Sequence, residues 1–253
     1  MIDYGTTLEK LDKGDYINTN QIVLGGIPFT TRELLIHAPL IAGLNTMLIG
    51  ETGEGKTQLS NDLKRFFGDG FCRVTGRLDF SIDDLMKRVN LGRLKDVKSD
   101  QELVELTENV KKLVYFVDEI NRCPPVVQNG FFNLFDGYID HEGNIIRLGK
   151  NRYNVGYAAG NIGDGIYTGV SEIDRPLKDR MHLIVKVDDP IFRTKPIDTY
   201  NIFNSRKNPR VVLPETSEDI SNKIIELHKN FSKRKVPSII PILGVYFNES
   251  LDY

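Results

Sequence analysis

Cysteine is scarce in this chain of 253 residues, with only Cys72 and Cys123. The two stand far apart, with no C-x-x-C spacing and no histidine partner. Neither a disulfide framework nor a zinc site is expected, and both read as reduced thiols. A charge excess is missing too: 33 basic residues face 35 acidic ones, for a net charge of -2. That balance argues against a generally basic nucleic-acid surface, though not against a local patch. No apolar run approaches the length of a membrane span. The opening Met1-Ile2-Asp3-Tyr4-Gly5 lacks the basic-then-apolar form of a secretion signal, so a cytoplasmic location is expected. No internal repeat and no low-complexity tract breaks the chain. What remains is an ordinary globular composition, 40% hydrophobic and 27% charged, in a chain long enough to bury a sizeable core.

One stretch organises the rest. Gly50-Glu51-Thr52-Gly53-Glu54-Gly55-Lys56-Thr57 reads G-x-x-x-x-G-K-T, the phosphate-binding loop. The apolar run Thr46-Met47-Leu48-Ile49 before it predicts a buried strand. Gln58 to Phe67 after it predicts a helix with Leu59, Leu63 and Phe66 on one face. Glycines let the backbone turn where a side chain would block it, and the freed N–H groups cradle phosphate oxygens. The following helix adds the positive end of its dipole. Lys56 is expected to reach the β- and γ-phosphates, and the Thr57 hydroxyl to ligate Mg²⁺. The expected nucleotide contacts are Gly50, Glu51, Thr52, Gly53, Glu54, Gly55, Lys56, Thr57 and Gln58.

Elsewhere strands and helices alternate. Gln21–Leu24 predicts a short strand ending at Gly25-Gly26. Thr30 or Thr31 can cap a helix through Glu33–Ile36, which Pro39 should kink or end. Phe71–Thr75 predicts a strand. Ser81 with Asp84 resembles a capping box for a helix through Leu85, Met86 and Val89, with a break at Leu91–Leu94. A second helix fits Ser99–Lys112. Leu113–Val117 is the clearest strand, continuously apolar as a central parallel strand should be. Pro124-Pro125 can open a helix reaching Phe135, and a hairpin follows about Glu142-Gly143-Asn144. Tyr153–Ala159 predicts another core strand, ending at Gly160-Asn161. Gly163, Gly165 and Gly169 follow in a loop read as flexible. Arg175–Met181 predicts a short helix, and His182–Val187 a fifth strand. Residues 191–213 read as an extended connection, after which Ser217 can cap a helix carrying Ile220, Ile224, Leu227 and Phe231. Apolar strands alternating with helices indicate an α/β fold with a parallel sheet.

Asp118-Glu119 ends the strongest strand. In an open parallel sheet, ligands bind at the carboxyl ends of the strands. One acid there can hold a metal beside phosphate through its water shell, and its neighbour can orient and deprotonate an attacking water. Phe116-Val117-Asp118-Glu119-Ile120-Asn121-Arg122-Cys123-Pro124-Pro125-Val126-Val127-Gln128 is very similar to the Walker B segment of the MoxR group of AAA+ ATPases. Gly50–Thr57 resembles the Walker A of the same proteins. The resemblance runs from about Pro28 to Val187.

The resemblance implies a P-loop NTPase AAA+ core, a five-stranded parallel sheet flanked by helices, with a short, incomplete helical C-terminal region. Residues 1–29 would be an N-terminal extension, 30–189 the nucleotide-binding core, and 190–253 a linker and partial helical lid. It further implies ATP and Mg²⁺ as ligands, with Thr57 and Asp118 at the metal and Glu119 as base. Asn161 matches the family's sensor 1, and Arg180 its arginine finger, with Arg175 as second choice. A ring of this chain, a hexamer, is expected, working as a chaperone-like remodelling motor on a protein client. Two departures stand out. Ser99–Lys112 looks helical where the group carries a Gly-Pro-rich segment, and no sensor 2 arginine is evident among Arg210 and Arg234. Rival classes are an AAA+ motor or loader acting on nucleic acid and a small-molecule kinase sharing the loop. The Asp118-Glu119 pair, Asn161 and Arg180 favour hydrolysis over transfer. A GTPase is disfavoured because no N-K-x-D segment occurs.

Overall fold

A computed structural model of the chain describes residues 4–89, 104–161, 172–204 and 219–234. Helix α1 (Tyr4–Asp12) forms in a stretch whose sequence is turn-rich. Leu11 is fully buried and Leu8 packs beside it, so two leucines three apart supply its inner face. β1 (Gln21–Leu24) and β2 (Ile27–Thr30) make a hairpin over Gly25-Gly26. Thr30 Oγ1 accepts from the Glu33 N–H at 3.1 Å, while the Glu33 carboxylate accepts from the Thr30 N–H at 2.7 Å. That is a reciprocal capping box. Pro39 is accommodated by a π turn over Glu33–His37, which runs into α2 (Ala38–Ala42) with Pro39 in its first turn. The Leu35 carbonyl, which a proline four residues on cannot serve, accepts from the Tyr157 hydroxyl at 3.0 Å.

β3 (Thr46–Ile49) and α3 (Lys56–Phe67) stand where the motif requires, and Leu59, Leu63 and Phe66 are buried. β4 (Phe71–Thr75) follows. Ser81 caps α4 (Ile82–Met86), accepting from the Asp83 N–H at 3.2 Å. This helix stops short of Val89. Lys87–Val89 is strand β5, paired antiparallel with β6 (Val104–Leu106). The helix expected over Ser99–Lys112 is therefore not formed in its described part. Thr107 instead caps a 3₁₀ turn, Glu108–Lys111. Leu106 and Val110 fit a helical spacing, but cross-strand pairing with β5 claims Val104–Leu106. Leu91–Leu94 and residues 99–103 lie outside the described residues.

β7 (Val114–Asp118) is buried at every position. α5 (Pro125–Phe135) opens on its proline. β8 (Tyr138–His141) and β9 (Asn144–Arg147) form the expected hairpin. β10 (Val155–Gly160), α6 (Arg175–Lys178) and β11 (Leu183–Lys186) complete the alternation; Gly163, Gly165 and Gly169 lie outside the described residues. The connection expected to be extended from 191 contains α7 (Pro196–Asn204). Its Asp198 is fully buried and accepts from the Lys195 N–H and from the N–H and hydroxyl of Thr19. α8 (Ser221–Ser232) buries Ile224 and Ile225. Ser217, expected to cap it, lies outside the described residues.

Five strands form one parallel sheet in the order β11-β3-β10-β7-β4. Alternation along each strand feeds two cores. Leu48, Val114, Phe116 and Tyr157 face a layer holding Leu35, Leu59, Leu63 and Ile224. Met47, Tyr115, Val117 and Ala158 face the other, with Phe131, Leu134 and Leu177. Period-two burial on both faces is what makes the central strands apolar throughout. This is the P-loop NTPase form of the α/β class. The chain leaves β3 for one side of the sheet and later returns to the other side with β11. In an open α/β sheet such a reversal marks the carboxyl ends of the strands as the place where ligands bind.

Candidate functional site

β10 lies between β3 and β7, so the segments following these three strands meet at one edge. Gly160 pairs with Ile49, and the Gly50 N–H donates to the Gly160 carbonyl at 3.2 Å. The phosphate loop starts there, bends through Gly53 (φ 100°) and Gly55 (φ 76°), and enters α3 at Lys56. Both angles lie where a side chain is strained. Gly55 also sits under the Tyr16 ring, 3.3 Å from where a Cβ would stand. Burial there pushes the Tyr16 hydroxyl up to about 12.

Lys56 folds back over the loop, donating to the carbonyls of Gly50 (2.7 Å) and Glu51 (2.6 Å). Burial lowers its pKa, opposed by Asp118, Glu54, Asp188 and Glu119. An ammonium removed from water and held only by carbonyls is well placed to exchange them for an anion. The Thr57 hydroxyl donates to Asp118 Oδ2 at 3.1 Å, bringing together the two expected metal ligands from 61 residues apart. A hydroxyl and one carboxylate suit Mg²⁺, which takes few protein oxygens beside phosphate and water. Among the described residues no cluster of three or more acidic, His or Cys side chains forms another metal cage. The donor set thus fits a magnesium–nucleotide site.

Glu119 follows at φ 53°, in the left-handed region that a residue with a side chain seldom adopts. Its N–H donates to Asp118 Oδ1 at 3.1 Å, and Arg122 Nη2 lies 3.0 Å from its carboxylate. The bend turns Glu119 out of the strand line while Asp118 stays in it. Asn161 sits at the end of β10. Its N–H donates to Asn121 Oδ1 at 3.3 Å, and Asn121 Nδ2 donates to its carbonyl.

Arg180 stands apart from this cluster. Asn45, just before β3, donates from Nδ2 to the Arg180 carbonyl at 3.2 Å. That places Arg180 at the amino-terminal edge of the sheet, a strand's length of about 13 Å from the loop's edge. Its guanidinium donates to Asp136 Oδ2 and to the Pro176 carbonyl, each at 2.9 Å, and lies 4.5 Å over the Phe132 ring. Arg175 opens α6 and is exposed. A cleft of about 530 Å³ at the same edge is lined by Asn45, Asp136, Arg152, Asn154 and His182, so it is distinct from the phosphate loop.

Three residues at or near the site, and Asn45 at the opposite edge of the sheet, were not singled out by sequence. Arg73 Nη2 sits 2.6 Å from Asp118 Oδ2; a charged residue inside an apolar strand was the available signal. Asn121 ties the segment after β7 to the end of β10. Tyr16 reaches the loop from the N-terminal segment, whose position the buried Arg32–Asp62 pair holds (2.8 Å). Asn45, 5% exposed, donates to the Phe135 carbonyl at 2.7 Å and accepts from the Gly156 N–H at 2.9 Å. Asn45→Ala should lower stability by about 1–3 kcal/mol, because it leaves buried polar groups without partners. Chemical denaturation checks this, and an unchanged midpoint would show the network to be dispensable.

Comparison with known proteins bears on the family and the fold. The family model described as AAA domain (dynein-related subfamily) matches residues 45–181. A protein from Cytophaga hutchinsonii ATCC 33406, provisionally named an ATPase and solved by crystallography, superposes with a TM-score of 0.61 at 14% identity. The match covers 92% of this chain and 64% of that one. At that identity the likeness concerns fold. A search of curated proteins finds no match.

Proposed function

We infer the function from one premise: the chain belongs to the AAA domain family, dynein-related subfamily. It carries the nucleotide-binding core of that ATPase family. In our reading it binds ATP with Mg²⁺ and hydrolyses it. The observation that carries this is the meeting of Thr57 and Asp118 at 3.1 Å beside the phosphate loop, with Glu119 turned out next to them. Residues 50–58 cradle the phosphates. Lys56 trades its two carbonyls for phosphate oxygens. Thr57 and Asp118 would hold Mg²⁺, which when bound neutralises charge on the phosphates. Glu119 takes the proton of the attacking water, and Asn161 positions that water or the terminal phosphate. Arg180 serves a neighbour's site.

The D-E-I-N-R run at 118–122 followed by Pro124-Pro125 supports assignment to the MoxR type. On that resemblance residues 30–189 are the core, 1–29 precede it, and 190–253 form a linker and partial lid. Copies form a ring, a hexamer, that remodels a protein client in the cytoplasm. Lys56→Ala tests the base of this reading. Titration with a fluorescent ATP analogue should show affinity reduced by about 10- to 100-fold, the loss of a charged hydrogen-bond donor. Unchanged affinity in a folded variant would remove the phosphate-loop assignment.

A further inference from the structure

We propose that Arg73 competes with the divalent metal for Asp118, the acid that would hold Mg²⁺ when nucleotide binds. The proposal rests on the nucleotide reading above. Asp118 Oδ2 receives two groups: Thr57 Oγ1 at 3.1 Å and Arg73 Nη2 at 2.6 Å. The side chain of Asp118 is only 9% exposed. A carboxylate at that depth needs a counter-charge at all times, because an unpaired buried charge is heavily penalised. The other nearby cations have different partners. Lys56 bonds the loop carbonyls and Arg122 pairs with Glu119. Among the described residues Arg73 is the cation in direct contact with Asp118, while Lys56 acts on it at longer range.

The placement makes the pair exchangeable. β4 runs beside β7 with Thr75 opposite Asp118, so Arg73 reaches two residues along to the sheet edge. A long side chain spans that gap and can swing away with no change in the backbone. The guanidinium is also not fully satisfied where it rests: Arg73 Nε is buried without a hydrogen-bond acceptor. A guanidinium and a divalent ion cannot share one carboxylate oxygen without strong repulsion. Metal binding at Asp118 therefore works against the Arg73–Asp118 pair, and having to loosen the pair raises the Mg²⁺ concentration needed to complete the site.

Arg73→Met removes the charge and keeps the length. A fluorescent non-hydrolysable ATP analogue is titrated against the whole chain across a Mg²⁺ series and in EDTA, and melting is followed in parallel. The Mg²⁺ concentration at half-maximal enhancement of binding should fall about tenfold or more in Arg73→Met, the worth of one charge-assisted hydrogen bond. Its melting temperature without ligand should drop, and the gain on adding Mg²⁺ and analogue should exceed that of the unsubstituted chain. Arg73→Lys, which retains the charge, should give an intermediate Mg²⁺ midpoint and stands in if Arg73→Met does not fold. An unshifted or raised Mg²⁺ midpoint overturns the proposal. So does an equal loss of affinity with and without Mg²⁺, which would make Arg73 a plain phosphate contact. Failure of the unsubstituted chain to bind the analogue in any condition is a separate result. It overturns the nucleotide reading, and this proposal with it.

Discussion

Arg180→Ala is expected to lower ATP turnover by about 10³-fold or more, the range in which an arginine finger acts, while leaving nucleotide affinity unchanged. Arg180 is tied through its carbonyl to Asn45 at the amino-terminal edge of the sheet, and its own phosphate loop opens at the other edge. It has no short route to the nucleotide of its own chain. Its guanidinium is nonetheless held at a partly exposed position, between Asp136, the Pro176 carbonyl and the Phe132 ring. A permanently charged, planar fork oriented at a domain edge suits the γ-phosphate of an adjacent copy. Turnover per chain should therefore rise with protein concentration. Mixing Arg180→Ala with Glu119→Gln should restore part of the activity, since some interfaces regain an intact Glu119 and an intact Arg180. A merely structural role would instead lower melting temperature and nucleotide affinity together. Arg175→Ala, the exposed neighbour, is the control. Wild-type turnover in Arg180→Ala, or full activity of the dilute monomer, would end the assignment in trans.

Glu119→Gln should bind ATP normally and hydrolyse it about 10²- to 10⁴-fold more slowly, the usual contribution of a positioned general base. The amide keeps the shape and loses the proton acceptor. Glu119 occupies the left-handed region at φ 53°, a conformation costing of order 1–3 kcal/mol that persists where surrounding structure enforces it. Here the enforcement comes from Asp118, which accepts the Glu119 N–H, and from Arg122. Strain at this residue separates the two acids, leaving Asp118 buried and paired while Glu119 faces out. Single-turnover release of phosphate is the measurement. An unchanged rate would mean that the base lies elsewhere.

The phosphate loop, the strand before it and the helix after it were all legible, because each depends on neighbours within a few residues. Glycines at 53 and 55 permit the backbone angles, and Leu59, Leu63 and Phe66 mark the inner face of α3 by spacing alone. The same holds for β7, where an unbroken apolar run is what burial on both faces demands. Where local pattern and long-range pairing disagreed, pairing won. Val104–Leu106 became a strand because Lys87–Val89 lies beside it. α7 formed inside a stretch read as extended because Asp198, at its start, takes hydrogen bonds from Thr19, 179 residues away.

The candidate site divides along the same line. Residue type and spacing marked Lys56, Thr57, Asp118 and Glu119, because a loop that turns around phosphate and an acid that ends a buried strand are both written over short distances. Their meeting was not written there. It required β10 to pair between β3 and β7, which sets Asn161 beside the loop and Asp118 within reach of Thr57. Arg73 was visible only as an odd charge in a strand until β4 packed against β7 and supplied its partner, 45 residues on. Arg180 was nameable by resemblance, but its place at the opposite edge follows from where β11 joins the sheet. Hydrophobic burial is indifferent to which apolar strand lies next to which, so strand order is a property of the whole chain. In this protein that order brings the charges at the sheet edge together.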